Sequence, residues 1–102
     1  GLSEILRIAS MAQDLDITIH PHTSVTRVNM AASLHLLCAL SNGGYFEADY
    51  SAFNPFRTEL TSGGYVQHPD ASFAPLDSPG LGVTIDESAL SRFTVIPGPG
   101  YV

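Results

Sequence analysis

The chain contains no lysine and no tryptophan, and it has a single cysteine, Cys38. Its positive charge rests on four arginines, Arg7, Arg27, Arg57 and Arg92, against ten acidic residues, for a formal net charge of −6. Each shortage excludes something. An acidic chain is a poor partner for nucleic acid or an anionic membrane surface, since both are held by positive charge. Without lysine there is no amine to act as a general base or to form a Schiff base. One cysteine cannot close a disulfide within the chain. Cys38 lies in an apolar helical run and reads as a core residue in a reducing compartment. No apolar run approaches the roughly 18 residues needed to span a bilayer. The opening Gly1-Leu-Ser-Glu4 lacks the basic-then-apolar order of a secretory leader, so the expected location is cytoplasmic.

What remains is an ordinary globular composition. The apolar fraction is 44%, which argues against global disorder. A chain of 102 residues makes one domain at most, burying roughly 60–68% of its unfolded surface.

Helical spacing of Leu2, Ile5, Leu6, Ile8, Ala9 and Ala12 predicts a helix over 2–13, with Ser3 as a plausible N-cap. Ile17-Thr-Ile-His-Pro-His22 follows as a short strand. Alternation along a strand puts Thr18, His20 and His22 on one face and Ile17, Ile19 and Pro21 on the other. A polar loop leads to a second helix at about 28–41, apolar nearly all round and therefore expected to be largely buried. Asn42-Gly43-Gly44 stops it. Tyr45-Phe-Glu-Ala-Asp49 is a second strand, with Tyr45, Glu47 and Asp49 on one face. Helix, strand, helix, strand with short links favours parallel strands and an α/β layout.

Beyond residue 50 the pattern changes. Asn54-Pro-Phe-Arg57 opens a short helical turn through Leu60, and Gly63-Gly64 punctuates it. Tyr65–Gln67 and Ser72–Ala74 flank His68-Pro-Asp-Ala71 as a hairpin. Val83–Ile85 is a short extended piece, and Asp86 caps a helix over 87–93. The Pro/Gly-rich tail 97–102 is expected to be mobile. Two strand–helix units cannot close a parallel sheet, and a full barrel of eight takes about 250 residues. The chain therefore reads as the end of something larger.

His22, at the C-terminal end of its strand, is a natural general acid or base, because imidazole exchanges protons near neutrality. Glu47, beside Tyr45 and Phe46, is a partly buried carboxylate, and Asp49 is a hydrogen-bonding neighbour nearer the mouth. His20 and His22 have the spacing of a metal-ligating pair, but no acidic residue follows closely to complete a ligand set. His20 reads more simply as a hydrogen-bonded residue one layer deeper. Arg57 reads as solvated or structural rather than as a ligand clamp, His35 as a packed helix residue and His68 as exposed in the hairpin turn. The glycines form no phosphate-binding loop.

Taken together, Ile19-His-Pro-His22, Ala31-Ala-Ser-Leu-His35, Tyr45-Phe-Glu-Ala-Asp49, Asn54-Pro-Phe-Arg57 and Pro79-Gly-Leu-Gly-Val83 followed by Asp86-Glu87 resemble, in order and spacing, the C-terminal part of the mandelate racemase branch of the enolase superfamily. The likeness runs from residue 1 to about 95. It implies an α/β fold, the C-terminal part of a modified TIM barrel, (β/α)7β. Residues 17–22 would be its seventh strand and 45–49 its eighth. Residues 1–60 would supply the last barrel units and 61–102 the segment that returns to the capping domain.

The resemblance also implies Mg2+-assisted removal of the proton α to a carboxylate, most often to dehydrate a sugar acid, with racemisation, epimerisation or cycloisomerisation as alternatives. It matches His22 to the general acid or base and Glu47 to the residue that hydrogen-bonds the substrate carboxylate. His20, Thr23 and Asp49 are expected to assist substrate binding. The Mg2+ ligands and the second base fall outside the chain, so 102 residues alone are expected to be inactive, and the parent enzyme is expected to be a homo-oligomer. Two other readings stay open: an independent binding module, and a metal-dependent hydrolase that uses His20 and His22 as ligands.

Overall fold

The computed structural model describes residues 1–93 and 97–98. Two helices carry the first half, α1 (Leu2–Gln13) and α2 (Arg27–Ala39). The second half is made of short pieces: α3 (Pro55–Thr58), β1 (Thr61–Gly63), β2 (Tyr65–Gln67), β3 (Phe73–Pro75), β4 (Val83–Ile85) and α4 (Glu87–Leu90).

α1 follows its apolar stripe, but Gly1 occupies the N-cap position with no side-chain cap, so Ser3 does not start the helix. Only Ala9 and Ala12 are buried, while Leu2, Leu6, Ile8 and Met11, on either flank of them, stay 44–57% exposed. Asp16, at φ 56°, reverses the chain after α1. The Asn42 side-chain amide then ties the turn together, donating to the carbonyls of Ala9 (2.9 Å) and Ile17 (3.1 Å).

The segments 17–22 and 45–49 run parallel, as expected. They meet through single bridges, Ile19 to Gly43 and His22 to Glu47, rather than a continuous ladder. The Ile19 N–H donates to Asn42 and the Gly44 N–H donates back to Ile19, each at 2.9 Å. A ladder of two short edge segments with no further strand beside them has little to flatten it, and pairing stays local. Ile17 is half exposed for the same reason.

α2 is the centre of the molecule. Thr26 caps it by accepting the Asn29 N–H at 3.1 Å. One face, Met30, Ala31, Ser33, Leu34 and Leu36, is buried, and β1, β3 and β4 pack on the helix. Of the rest of α2 only Asn29, Cys38 and Ala39 are exposed, so the helix is largely buried as expected, but Cys38 lies outside the core. His35 lies against Leu2, Leu6, Leu36 and Ala39 with its Nε2 buried and unbonded.

The hairpin forms with Tyr65 opposite Pro75, Val66 opposite Ala74 and Gln67 opposite Phe73, one residue later on its second strand than the sequence reading. β1 was not anticipated. It pairs antiparallel with β4, Thr61 opposite Ile85, and the Gly63-Gly64 break that hid it takes the chain directly into β2. Gly64 sits at φ 82°, and a Cβ there would lie 2.8 Å from Val83 and 3.0 Å from Ala31, so only glycine lets β2 turn this close over α2. Asp86 caps α4 as expected, accepting from Ser88 and Ala89. The expected mobile tail, 97–102, lies outside the described residues apart from Pro97 and Gly98.

Surface scaling gives roughly 5,500 Å2 for a self-contained chain of this size, whereas this one exposes 7118 Å2. Leu15, Tyr45, Tyr50 and Phe53, each at least 67% exposed, are among the apolar side chains on that surface.

Candidate functional site

His22 and Glu47 come together where the two parallel segments end. Their backbones form a parallel bridge, and His22 Nε2 lies 4.0 Å from Glu47 Oε1. Both side chains are open to solvent, at 71% and 62%. An imidazole and a carboxylate thus face the same open space from adjoining strand ends, too far apart to bond each other. Such a pair can exchange a proton with a bound molecule and hold a polar group on it.

The groups beneath fix this pair. Thr23 is 2% exposed, and its hydroxyl donates to the Glu47 carbonyl, stitching the end of the first segment to the second. Val25, just beyond, is β-branched yet sits at φ 72°, a conformation L side chains rarely adopt. The turn is held by the Ser24 carbonyl, which accepts from Thr26 N–H (2.9 Å) and from the Asn29 amide (3.2 Å). Strain of this kind is characteristic of loops that present functional groups.

His20, expected one layer deeper, is exposed. Its Nδ1 accepts the Tyr45 N–H at 2.9 Å, which leaves Nε2 as the protonated nitrogen when the ring is neutral. The ring stacks on Tyr45 with centroids 5.7 Å apart. Asp49 carries the densest polar network. Its carboxylate accepts from the Ser51 N–H (2.9 Å), the Ser51 hydroxyl (2.7 Å) and the Asn54 amide. Arg57 stands 3.6 Å away with its own side chain 16% exposed, and donates to the carbonyls of Asp49 and Ser51. Led by the Ser51 hydroxyl bond, these contacts hold the Asp49 carboxyl well down, to about 2. Arg57 is therefore structural, one of the two roles its sequence context allowed.

Sequence reasoning missed Ser51, Asn54 and Arg27. Ser51 had a legible signal: Asp49-Tyr-Ser51 repeats as Asp70-Ala-Ser72 and Asp86-Glu-Ser88, and in each the aspartate accepts the serine N–H and hydroxyl. Arg27 had none, because its partners are distant in sequence.

Among the described residues no group of three or more His, Cys, Asp or Glu side chains is arranged to hold a metal ion. His20 and His22 gain no third donor. The residues present do not make a Mg2+ site. Among the described residues, too, no helix is long and apolar enough to cross a membrane.

The family model for enolase C-terminal domain-like proteins matches residues 1–89. A D-galactonate dehydratase family member from Streptomyces bingchenggensis is 33% identical over 99 residues, which is 95% of this chain and 23% of that protein. A solved enolase-superfamily member from a Polaromonas species is 45% identical and superimposes with a TM-score of 0.86, covering all of this chain and 27% of its own. Another, from Agrobacterium tumefaciens, is 30% identical with a TM-score of 0.72 over 89% of this chain and 23% of its own. The chain spans about a quarter of the length of these relatives. With its α/β architecture and parallel segment ends, the chain belongs to the enolase superfamily, as a C-terminal domain-like portion of that fold.

Proposed function

We propose that this chain supplies one side of the active site of an enzyme that removes the proton α to a carboxylate, and that the reaction is dehydration of a sugar acid. The observation that carries this reading is the meeting of His22 and Glu47, 4.0 Å apart and open, at the ends of adjoining parallel segments. A histidine and a glutamate in that position can do two jobs on one substrate: move a proton at a carbon or at a departing hydroxyl, and hold the carboxylate as charge develops on it.

In the proposed reaction a base from another strand takes the α-proton. The α-carbon's electron pair forms the new Cα=Cβ bond, and the β-hydroxyl leaves as water with the proton from His22. Glu47 hydrogen-bonds the substrate carboxylate. His20 orients Tyr45 and the second segment through its Nδ1 bond. Thr23 and Asp49 act on this site by fixing the segment ends. The curated relative's name makes D-galactonate the first substrate to try. The reading includes a cytoplasmic setting and a homo-oligomeric enzyme of the relatives' length.

The test uses a protein of the relatives' length that carries this chain, incubated with D-galactonate and other sugar acids in deuterated water. His22→Asn is expected to lose about 10²–10⁴-fold in kcat, the usual cost of a missing acid–base group, with little change in substrate affinity. Glu47→Gln lowers kcat and kcat/KM together. α-Deuterium without water loss in the His22 variant supports dehydration. Exchange surviving for only one epimer marks a two-base racemase or epimerase instead. Full activity in His22→Asn overturns both.

A further inference from the structure

A second concavity lies beyond the His22–Glu47 pair and uses neither residue. It encloses about 390 Å3 and is lined by Arg27, Asp49, Arg57, Thr58, Tyr65 and Gln67, among others. Its charge runs against that of the chain. Two arginines face one aspartate, leaving a net positive charge in a molecule whose overall charge is −6.

The two arginines differ. Arg57 is balanced by Asp49, whose carboxylate is itself taken up by Ser51 and Asn54. Among the described residues Arg7 pairs with Glu4 and Arg92 with Glu59, whereas no carboxylate lies within ion-pair distance of Arg27. Its guanidinium lies 4.8 Å from the Tyr65 ring centroid. It donates Nε to the Arg57 carbonyl and Nη1 to the Gly63 carbonyl, both at 3.2 Å. Two of its five N–H donors are so used. A half-buried cation held flat by an aromatic ring and two carbonyls is positioned, yet not neutralised.

The backbone adds to this. Arg27 is the first residue of the 13-residue α2, where the helix dipole is positive and a cation is disfavoured, and the first turn of α2 carries no acidic residue. The first turn of α2 therefore leaves the Arg27 charge without a local counter-charge. Gln67 supplies a neutral donor on the wall, and the Thr58 hydroxyl, which donates to the Asn54 carbonyl at 3.0 Å, keeps only its acceptor side free.

We propose that this cleft is a binding site for a small anion bearing a carboxylate or phosphate group, with Arg27 as the residue that reads it. The free Arg27 N–H donors engage the anion's oxygens, and the N-terminus of α2 supports the charge.

The test titrates a protein of the relatives' length that carries this chain, at constant ionic strength, with inorganic phosphate in one arm and citrate in the other, followed by 1H–15N spectra. Saturable shifts at the Arg27 side chain, Thr58 and Gln67 are expected; the tighter arm identifies the group. Arg27→Met weakens binding at least about tenfold, as loss of a charge-assisted hydrogen bond does, while Arg92→Met leaves it unchanged. Should Arg27→Met fail to fold, wild-type protein is treated with phenylglyoxal and each arginine read by peptide mass. Phosphate or citrate then protects Arg27 and not Arg7. Shifts that never saturate, binding unchanged in Arg27→Met, or equal protection of Arg7 and Arg27 overturn the proposal.

Discussion

Asp49→Asn probes the network that holds the end of the second segment, two residues past Glu47. In the native state the Asp49 carboxyl sits at about 2 instead of 3.8, chiefly because the Ser51 hydroxyl and N–H donate to it, with Asn54 and Arg57 adding to the effect. Asp70 and Asp86 are lowered by the same kind of serine contact, but they are fully exposed, and solvent screens their contribution. Asp49 is the one whose side chain is enclosed, at 11% exposure. At about 1.4 kcal/mol per pH unit, its displacement corresponds to about 2 kcal/mol of stability. The folded-state value lies below the unfolded one. The contribution is therefore complete above about pH 4, and it drains away as the pH falls through about 2. Asp49→Asn is expected to cost about 2 kcal/mol at pH 6, and the gap between variant and wild type is expected to close as the pH approaches 2. Urea unfolding followed by circular dichroism at several pH values measures the gap, and carboxyl 13C shifts report the Asp49 titration directly. A gap that stays constant from pH 6 to pH 2, or an Asp49 carboxyl titrating near the ordinary 3.8, refutes the argument.

Thr23→Val keeps the shape but leaves the buried Glu47 carbonyl without its donor, so a loss of about 1–3 kcal/mol is expected in chemical denaturation; an unchanged midpoint would show that water replaces the hydroxyl. Val25→Asn puts a residue tolerant of positive φ at an exposed position and is expected to raise stability by about 1 kcal/mol. A lower stability would mean that the Val25 side chain contributes packing that outweighs its strain. Leu2, Leu6, Ile8 and Met11 expose apolar surface on both flanks of the buried Ala9 and Ala12 of α1, so the chain on its own is expected to bind a hydrophobic dye and to associate with rising concentration. Leu6→Glu with Met11→Glu should reduce both in fluorescence and sedimentation measurements, and no reduction places the adhesive surface elsewhere.

The sequence alone determined the elements whose cause is local. Helical spacing set α1 and α2, Asp86 set the cap of α4, and the alternation of Thr18, His20 and His22 against Ile17 and Ile19 set which residues share a face. That His22 and Glu47 share one site was expected from the family resemblance; alternation by itself placed Glu47 only on the same face as Tyr45 and Asp49. Tertiary structure decided what depends on distant neighbours. β1 exists only because β4 returns beside it, and its glycines, read locally, signal a break. Cys38 and Ala39 are exposed because none of the described residues packs over them, although their apolarity predicts burial. Among the described residues Arg27 has no carboxylate partner for a similar reason: an ion pair depends on which carboxylates the fold brings within a few ångströms, and residues 30 and 36 positions away supplied carbonyls instead. Periodicity records the face a residue presents; the partner on that face is chosen by the path of the whole chain.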